Sequence, residues 1–345
     1  MLKFTRFTFI IFAVTLMNIS HALGQGSAVE HMKTISEILE KSKDETFSYL
    51  KAITKGRSAR KIENKRQNLL TQIRSEIGQI RGLGSYNGDN SLKEGCLVYL
   101  NIQKTILAED YEKIINLEEI AEKSYDDLEL YLNLQEKVNE KLQAASDSFD
   151  IVYKEFAAKY EITLIDGEVD KKSKRIKKMS ETLDYYHEAL LLQLKCAYQE
   201  RKIVEALDKG DVNAAQQGLS VLTTIADENL VKLDALQPYE GDFSLIGATR
   251  KLINFFKREA EGDFTKMLDY HITKENFETV KKNFDAKSKS ERDQEAIDEY
   301  NKAVNDMNAA VKTFNELINR VNKERANQNK AWEDVANEFN QNHSK

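Results

Sequence analysis

The residues of this sequence with the widest chemical range are its histidines, because imidazole binds metal ions and transfers protons near neutral pH. None of the five has the His-Glu-x-x-His spacing with which one helix binds zinc. The densest group is Tyr185, Tyr186, His187 and Glu188, with Cys196 further along the same predicted helix. This group could hold an ion if another helix supplied ligands. A histidine packed between helices is the favoured interpretation, so we predict no metal ion and no cofactor.

Nucleophilic and phosphate-binding motifs are missing from the chain. It contains no glycine-rich phosphate loop, no Gly-x-Ser-x-Gly turn and no Cys-x-x-Cys pair, so common routes of nucleotide hydrolysis, acyl transfer and thiol exchange lack a starting residue. Pairs of acids such as Glu118–Glu119 are abundant, but they carry no specificity in a chain with 57 Asp and Glu residues. We therefore do not predict an enzyme.

The two cysteines, Cys96 and Cys196, both lie in apolar surroundings. In an exported protein a disulfide between them is chemically allowed. Free cysteine is also among the most buried residue types, so two separate core thiols are the favoured alternative.

Two runs of basic residues are candidates for contact with an anionic polymer or lipid head groups. The first crosses a predicted turn and comprises Lys51, Lys55, Arg57, Arg60, Lys61, Lys65 and Arg66. The second opens a predicted helix and comprises Lys171, Lys172, Lys174, Arg175, Lys177 and Lys178. Cations are unfavourable at the positive end of a helix dipole, which suggests a reason for the second run other than helix stability. A solvated charged face remains the favoured interpretation.

The last predicted helix carries two parallel stripes. Its apolar stripe follows steps of three and four, as a helix facing a partner does: Ile297, Tyr300, Val304, Met307, Val311, Phe314, Ile318 and Val321. Beside it lies an asparagine stripe, although asparagine is a poor helix former: Asn301, Asn305, Asn308, Asn315, Asn319 and Asn322. The amides either bond to a neighbouring helix, which we favour, or face a polar partner.

The first residues have the pattern of a secretory signal peptide. Lys3 and Arg6 precede an apolar core at 7–17, and small residues permit cleavage after Ala22 or Gly24. The apolar stretch is shorter than a membrane helix needs, and no cysteine near the cleavage point could carry a lipid. We predict a leader at 1–24 and a soluble exported protein that lies on the cell surface, in the periplasm or in the medium.

Composition favours long helices and excludes some partners. One proline in 345 residues leaves few interruptions, and 41% hydrophobic residues suffice for a core. The net charge of -6 makes nucleic acid an improbable partner, and removal of the leader shifts it to about -8. Periodicity and caps predict helices over residues 28–54, 58–83, 125–160, 171–207, 212–236, 245–261, 264–271, 274–286 and 291–340.

Capping chemistry predicts three helix starts in particular, because a Ser and an acid three residues later satisfy each other. These pairs are Ser91 with Glu94, Ser124 with Asp127, and Ser290 with Asp293. Residues 161–170 leave the helical pattern, and we expect Ile162, Leu164 and Ile165 to fold back as a loop. No exact internal repeat is evident, although the recurrence of long amphipathic helices fits an elongated bundle or a stack of helical hairpins.

Four passages give the chain a family resemblance. They lie at Ala108–Leu132, Glu155–Glu168, Gly241–Ala248 and Tyr300–Trp332. With them the chain resembles a family of exported helical surface proteins from leptospires and Bacteroidetes, over nearly the whole mature length. The resemblance implies a helical fold and export, and it implies no catalytic residues.

Together these features predict an all-α, elongated multi-helix bundle with long amphipathic helices and a long C-terminal helix, forming a single domain over 25–345. The predicted function is non-catalytic: binding of a partner or a contribution to the cell envelope, through the asparagine stripe and the run from Lys171 to Lys178. The alternative is an exported enzyme or small-ligand carrier with a site between helices near Tyr185, Tyr186 and His187. A deep pocket there would favour the alternative, and a filled core would favour the binding protein.

Overall fold

The computed structural model describes residues 21–23, 27–110, 125–165 and 171–345. Most of them are helical, which confirms the predicted all-α class and the long C-terminal helix. The contacts divide the chain into two compact units, where the sequence analysis treats 25–345 as one domain. The first unit comprises Met1–Tyr186 with Asn337–Lys345, and the second comprises His187–Ala336. Within the described residues, no helix is both long enough and apolar enough to cross a membrane.

The first unit is built from helices that pack in the order in which they follow along the chain. They are α1 (Ser27–Thr54), α2 (Ala59–Gly82), α3 (Ser91–Thr105), the π-helix π1 (Ile106–Asp110) and α4 (Tyr125–Lys159). One apolar face of α2 is buried along the helix, with Ile62, Leu69, Ile73, Ile77 and Ile80 at most 5% exposed. Helices α3 and α4 meet closely, because a Cβ added at Gly95 would lie 2.8 Å from Val152 Cγ1.

A two-stranded antiparallel sheet joins the N-terminal residues to the end of α4. Strand β1 (His21–Leu23) pairs with β2 (Thr163–Ile165), and Ala22 lies opposite Leu164. The prediction that Ile162, Leu164 and Ile165 form a loop is therefore wrong for residues 163–165. The rest of the predicted leader, 1–20 and 24, lies outside the described residues, as do the cap at Ser124 and residues 166–170.

The second unit repeats this construction. Its described helices are the later part of α5 (Lys171–Lys209), α6 (Val212–Ala235), α7 (Ser244–Arg258), the π-helix π2 (Glu259–Asp263), α8 (Phe264–Ala286) and most of α9 (Gln294–His343). The predicted interruption of α8 between residues 271 and 274 is wrong, because α8 continues through both positions. Helices α7, π2 and α8 follow one another without a break. Helix α7 ends at Arg258, π2 begins at Glu259, and α8 begins at Phe264 directly after π2.

An internal repeat links the two units. Helix α6, helix α7 and π2 begin and end 153 residues after α2, α3 and π1. The connecting turn recurs as Tyr86-x-Gly88-Asp89-x-Ser91-Leu92 and Tyr239-x-Gly241-Asp242-x-Ser244-Leu245, with a bridge from Tyr to Asp in each. Buried positions also correspond, as with Leu69 and Leu222. The repeat was not predicted, because the side chains on the intervening helix surfaces differ between its two copies.

Asp side chains begin several helices where a serine was predicted. Ser91 is the first residue of α3, so it does not cap the helix. Instead, Asp89 Oδ1 accepts from Ser91 N at 2.8 Å. At the start of α9, Asp293 Oδ1 accepts from Ala296 N at 2.9 Å, and this replaces the predicted Ser290 cap. Helix α6 begins in the same way, because Asp211 Oδ1 accepts from Ala214 N. Carboxylates satisfy the free amide groups of a first turn as well as hydroxyls do.

Candidate functional site

The predicted site around Tyr185, Tyr186 and His187 is filled with packed side chains. Tyr186 is 4% exposed and His187 is 8% exposed. The ring of Tyr185 stacks on that of Phe339, with centroids 5.6 Å apart. Burial lowers the pKa of His187 to about 3, so its imidazole is neutral at physiological pH. These residues form core contacts, and the described part of the chain contains no group of three His, Cys, Asp or Glu side chains arranged to hold a metal ion.

The two thiols are separate and buried. Near Cys196, the side chain of Asn229 donates to the carbonyl of Leu192 at 2.7 Å, and its Nδ2 lies 3.8 Å from Cys196 Sγ. Burial raises the pKa of Cys196 to about 12, and burial also raises the pKa of Cys96. Both are protonated thiols without the thiolate character of a nucleophile.

The basic run at the start of α5 is held against α1. Lys172 forms an ion pair with Asp44, and the Arg175 guanidinium carbon lies 4.8 Å from the centre of the Phe47 ring. The ammonium of Lys51 lies 5.6 Å from the same ring. Because the axial face of an aromatic ring is negative, Phe47 keeps two cations close together.

The four further cations of this run differ in their surroundings. Lys171 and Lys174 are exposed, and Lys171 lies one helical turn from both Lys174 and Arg175. Lys177 is exposed and lies 3.7 Å from Glu181, while Lys178 is half-buried. We call the surface formed by Phe47, Lys51, Lys171, Lys174 and Arg175 the basic face of the first unit. Sequence reasoning found the α5 residues and missed the contribution of Phe47.

The apolar stripe of α9 is only partly covered. Its residue Val321 is 2% exposed, but Ile297 and Val311 are 36% and 37% exposed, so the described residues of the chain cover only part of the stripe. The face turned inward contains smaller residues, including Ala296 and Ala303. Large rings complete the contact between α8 and α9: Phe284 stacks on Tyr300 with centroids 4.5 Å apart, and Tyr270 stacks on Phe314 at 4.1 Å.

All six side chains of the asparagine stripe are exposed. The hydrogen bonds that two of them make are local: Asn319 donates to the carbonyl of Asn315 at 3.1 Å, and Asn322 accepts from Arg325 at 2.9 Å. This arrangement does not support the favoured expectation of amides bonded to a neighbouring helix. The asparagine stripe and the Lys171–Lys178 run lie in different units.

Sequence reasoning missed a buried cluster of charges in the second unit. Glu200, Glu259 and Arg325 meet there, with their side chains 2%, 2% and 12% exposed. Arg325 forms an ion pair with Glu200, and its Nη2 lies 3.4 Å from Glu259 Oε1. Glu259 is the first residue of π2, a helix type often found at functional sites. The sequence signal was faint, because a lone buried acid cannot be told from the other acids of the chain.

The carboxyl groups of this cluster share one countercharge. Burial raises the pKa of Glu259, and the neighbouring charge of Glu200 raises it further. Burial also raises the pKa of Glu200, and Arg325 opposes that shift. The arrangement is therefore an ion pair between Arg325 and one carboxylate, beside a second carboxyl that keeps its proton. With so little exposed surface, it holds π2 against α5 and α9.

The first unit also has an arginine at its π-helix, at a position that is not equivalent in the repeat. Arg66 donates through Nη1 to the carbonyl of Leu107 in π1, and it pairs with Glu63 Oε1 at 2.6 Å. A π-helix shifts the backbone hydrogen-bond pattern, so a side-chain donor can satisfy a carbonyl there. Arg66, a member of the first basic run, therefore has a structural role.

An aromatic cluster surrounds the Tyr86–Asp89 turn. Asp89 accepts from Lys159 at 2.8 Å and from the Tyr160 hydroxyl at 3.1 Å. The bond from Lys159 and that from the Ser91 amide hold the pKa of Asp89 well below its usual range. Rings of Tyr86 and Tyr160 meet edge to face at 4.8 Å. The carboxylate organises the end of α4 and the start of α3.

A shallow apolar groove of about 600 Å³ lies on the outer side of α3. Its lining includes Leu97, Val98 and Ile102, with Lys141 of α4 at one side. Val98 is 58% exposed. The described residues that line the groove do not include Tyr185, Tyr186 or His187, and they form no catalytic arrangement of side chains.

Comparisons with protein-family models, with characterised proteins and with solved structures give no match to this chain.

Proposed function

We propose that this chain is an exported, non-catalytic binding protein of the cell surface, periplasm or surrounding medium that uses exposed helix faces. Support comes from the contrast between its interior and its surface. The side chains that could act as bases, nucleophiles or metal ligands, such as His187, Cys196 and Glu259, are buried among packed neighbours. The exposed groups that remain are cations and amides on regular helices, which suit recognition of a partner. The resemblance to exported surface proteins of leptospires and Bacteroidetes is part of this proposal.

The observation that carries the proposal is the basic face of the first unit. Of its four cations, Lys171, Lys174 and Arg175 lie at the start of α5. This is the positive end of a helix dipole, where cations are unfavourable. Arg175 and Lys51 are positioned by Phe47, while Lys171 and Lys174 extend into solvent. A protein with a net charge of -6 thus presents a local positive surface, and its partner is an anionic surface such as phospholipid head groups.

The alternative function, an exported enzyme or small-ligand carrier with a site near Tyr185, Tyr186 and His187, has less support. The two residues Tyr186 and His187 are buried in packed surroundings, the outcome expected of a binding protein. A small apolar ligand would find more room in the groove at Leu97 and Val98.

Export is tested by fractionation of cells that produce the full chain with a C-terminal tag. The expected result is a processed protein outside the cytoplasm, whose N-terminus by mass spectrometry is Leu23 or Gln25. Cleavage at either place removes most or all of β1 from β2. A Val14→Arg variant, which interrupts the apolar core, should leave an unprocessed chain in the cytoplasm. An unprocessed, cytoplasmic wild-type chain would refute the export part of the proposal.

Partner binding is tested by cosedimentation with phospholipid vesicles that contain or lack an anionic lipid. Each basic residue near an anionic membrane contributes about 1 kcal/mol, so Lys171→Glu/Lys174→Glu should lower binding by at least about tenfold. The matched control is Lys287→Glu/Lys289→Glu, which makes the same charge change at exposed positions of the second unit. Equal loss in both variants, or equal binding to neutral vesicles, would contradict a specific role for the basic face.

A further inference from the structure

Helix α9 has a second apolar row that α8 does not cover. When α9 is divided into heptads from Ile297, the fourth and seventh positions, such as Tyr300 and Ala303, face inward. The first positions form an outer row of Ile297, Val304, Val311 and Ile318, which are exposed or half-buried. The fifth positions are all asparagine and all exposed: Asn301, Asn308, Asn315 and Asn322. A helix inside a bundle has two such seams, and only one of them is occupied by the described residues.

The order of side chains along this outer seam is a palindrome. From residue 297 to residue 318 it reads Ile, Asn, Val, Asn, Val, Asn, Ile, in alternating steps of four and three. The centre of the palindrome is Asn308, and the apolar residues on its two sides match to within one residue, about 1.5 Å, because the steps of four and three exchange places on reversal. Packing against another segment of the same chain gives no reason for a sequence that is the same in both directions. A two-fold contact does, because it places a surface against an inverted copy of itself.

We propose that the outer seam of α9 is the interface through which two copies of this chain associate, antiparallel and centred on Asn308. In this register Ile297 lies opposite Ile318 of the second copy, and Val304 lies opposite Val311. The amides also meet in pairs, Asn301 with Asn315 and Asn308 with its own counterpart. Apolar layers thus alternate with amide layers over about 32 Å of helix, at 1.5 Å per residue.

Amides suit such a contact for a physical reason. A charge on a two-fold axis meets an identical charge, whereas an Asn side chain both donates and accepts and so complements its own copy. Buried asparagine layers in coiled coils also fix register and orientation, at some cost in stability. The asparagines, which are unfavourable for the helix itself, are explained by this role.

The next row of α9 supports the same centre. It contains Asp298, Asn305, Lys312 and Asn319. In the antiparallel register Asp298 lies opposite Asn319 of the second copy, and Asn305 lies opposite Lys312. Each charge therefore meets an amide, and no like charges are brought together. A parallel pairing would instead place Asp298 against Asp298 and Lys312 against Lys312.

The test is sedimentation equilibrium of the purified processed protein over a concentration range of about three decades around 10 µM. We expect a monomer–dimer equilibrium. Asn301→Asp/Asn315→Asp places acid against acid twice in the antiparallel register and should weaken the dimer by at least about tenfold. Asn301→Asp/Asn315→Lys places acid against base twice and should bind at least as tightly as the wild type. In a parallel pair the second variant would also be weakened.

The matched control is Asn327→Asp, the same change at an exposed position of α9 outside the seam. It should leave the dimerisation constant unchanged. As an independent test, Asn308→Cys should form a covalent dimer on mild oxidation, because its copies meet at the axis, whereas Asn327→Cys should not. Far-UV circular dichroism checks that each variant is folded. A monomer at every concentration, a dimer insensitive to both double variants, or equal cross-linking of the two cysteine variants would overturn the proposal.

Discussion

Glu76 should make the first unit less stable as the pH rises. This residue of α2 is fully buried, and its Oε1 accepts from the amide of Ser42 at 2.8 Å and from Gln72 at 3.1 Å. Burial raises its pKa to about 7, although both hydrogen bonds act in the opposite direction. In the folded protein the carboxyl therefore keeps its proton over a pH range in which the unfolded chain has lost it.

The sign and size of the effect follow from proton linkage. Between the unfolded pKa of 4.5 and the folded value of about 7, the native state binds more protons, so stability falls as pH rises. Each pH unit in this window lowers the free energy of unfolding by about 1.36 kcal/mol, and the whole window lowers it by about 3 kcal/mol. The Glu76→Gln variant has no charge to bury, and its amide oxygen can still accept from Ser42. It should match the wild type near pH 4.5 and exceed its stability by about 3 kcal/mol at pH 8.

The measurement is urea unfolding of both proteins at half-unit steps from pH 4.5 to 8.5. Far-UV ellipticity is the appropriate signal, because the single tryptophan, Trp332, reports only the second unit. Other titrating groups are common to both proteins, so the difference between the two curves isolates Glu76. The exposed Glu37→Gln variant serves as a control and should follow the wild type. A constant difference between wild type and Glu76→Gln across this range would refute the reasoning.

Two further predictions concern the second unit and the helix interiors. Glu259→Gln should lower the free energy of unfolding only slightly, because the ion pair of Glu200 with Arg325 remains. Arg325→Met should lower it by about 3 to 5 kcal/mol, because the buried Glu200 carboxylate loses its countercharge. Urea unfolding followed by tryptophan fluorescence measures both variants, and equal losses would contradict the shared-countercharge assignment. Gly218→Ala should lower the melting temperature, since its Cβ would lie 2.7 Å from a neighbouring isoleucine. Gly78→Ala, with open space around the new Cβ, should raise it, and the opposite order would be inconsistent with this packing.

Helix positions were predictable from the sequence because apolar periodicity and chain breaks are local signals. The helices predicted over 58–83 and 171–207 each have a buried apolar face, which includes Ile62 to Ile80 in α2 and Ile176 and Leu183 in α5. Exact helix starts were less predictable, as at Ser91, because several Asp and Ser residues compete for the same free amide groups. The strand at 163–165 was missed because its partner lies about 140 residues away in the predicted leader.

The candidate site was harder to predict than the fold, because it depends on which neighbours meet. His187 and Cys196 stand out in the sequence, yet burial makes both unreactive. Glu259 and Arg325 do not stand out, since each is one charge among many, and only packing brings them together. For the basic run, residue type left a solvated face and contact with an anionic partner as alternatives, and Phe47 on another helix decides which cations are held in place.

The repeated part of the chain explains why the two units place their polar groups differently. Position 76 in α2 and position 229 in α6 correspond, and both hold a buried polar side chain that bonds to the helix before it. One is a carboxyl and the other is an amide, so this position contributes to the pH dependence of stability in the first unit but not in the second. The same turn, helix and π-helix thus accept either a titrating or a neutral group at this position. In an Asn229→Glu variant, the free energy of unfolding of the second unit should fall further with rising pH, by an amount comparable to that derived for Glu76. An unchanged pH profile would show that positions 76 and 229 are equivalent in geometry but not in their effect on a carboxyl group.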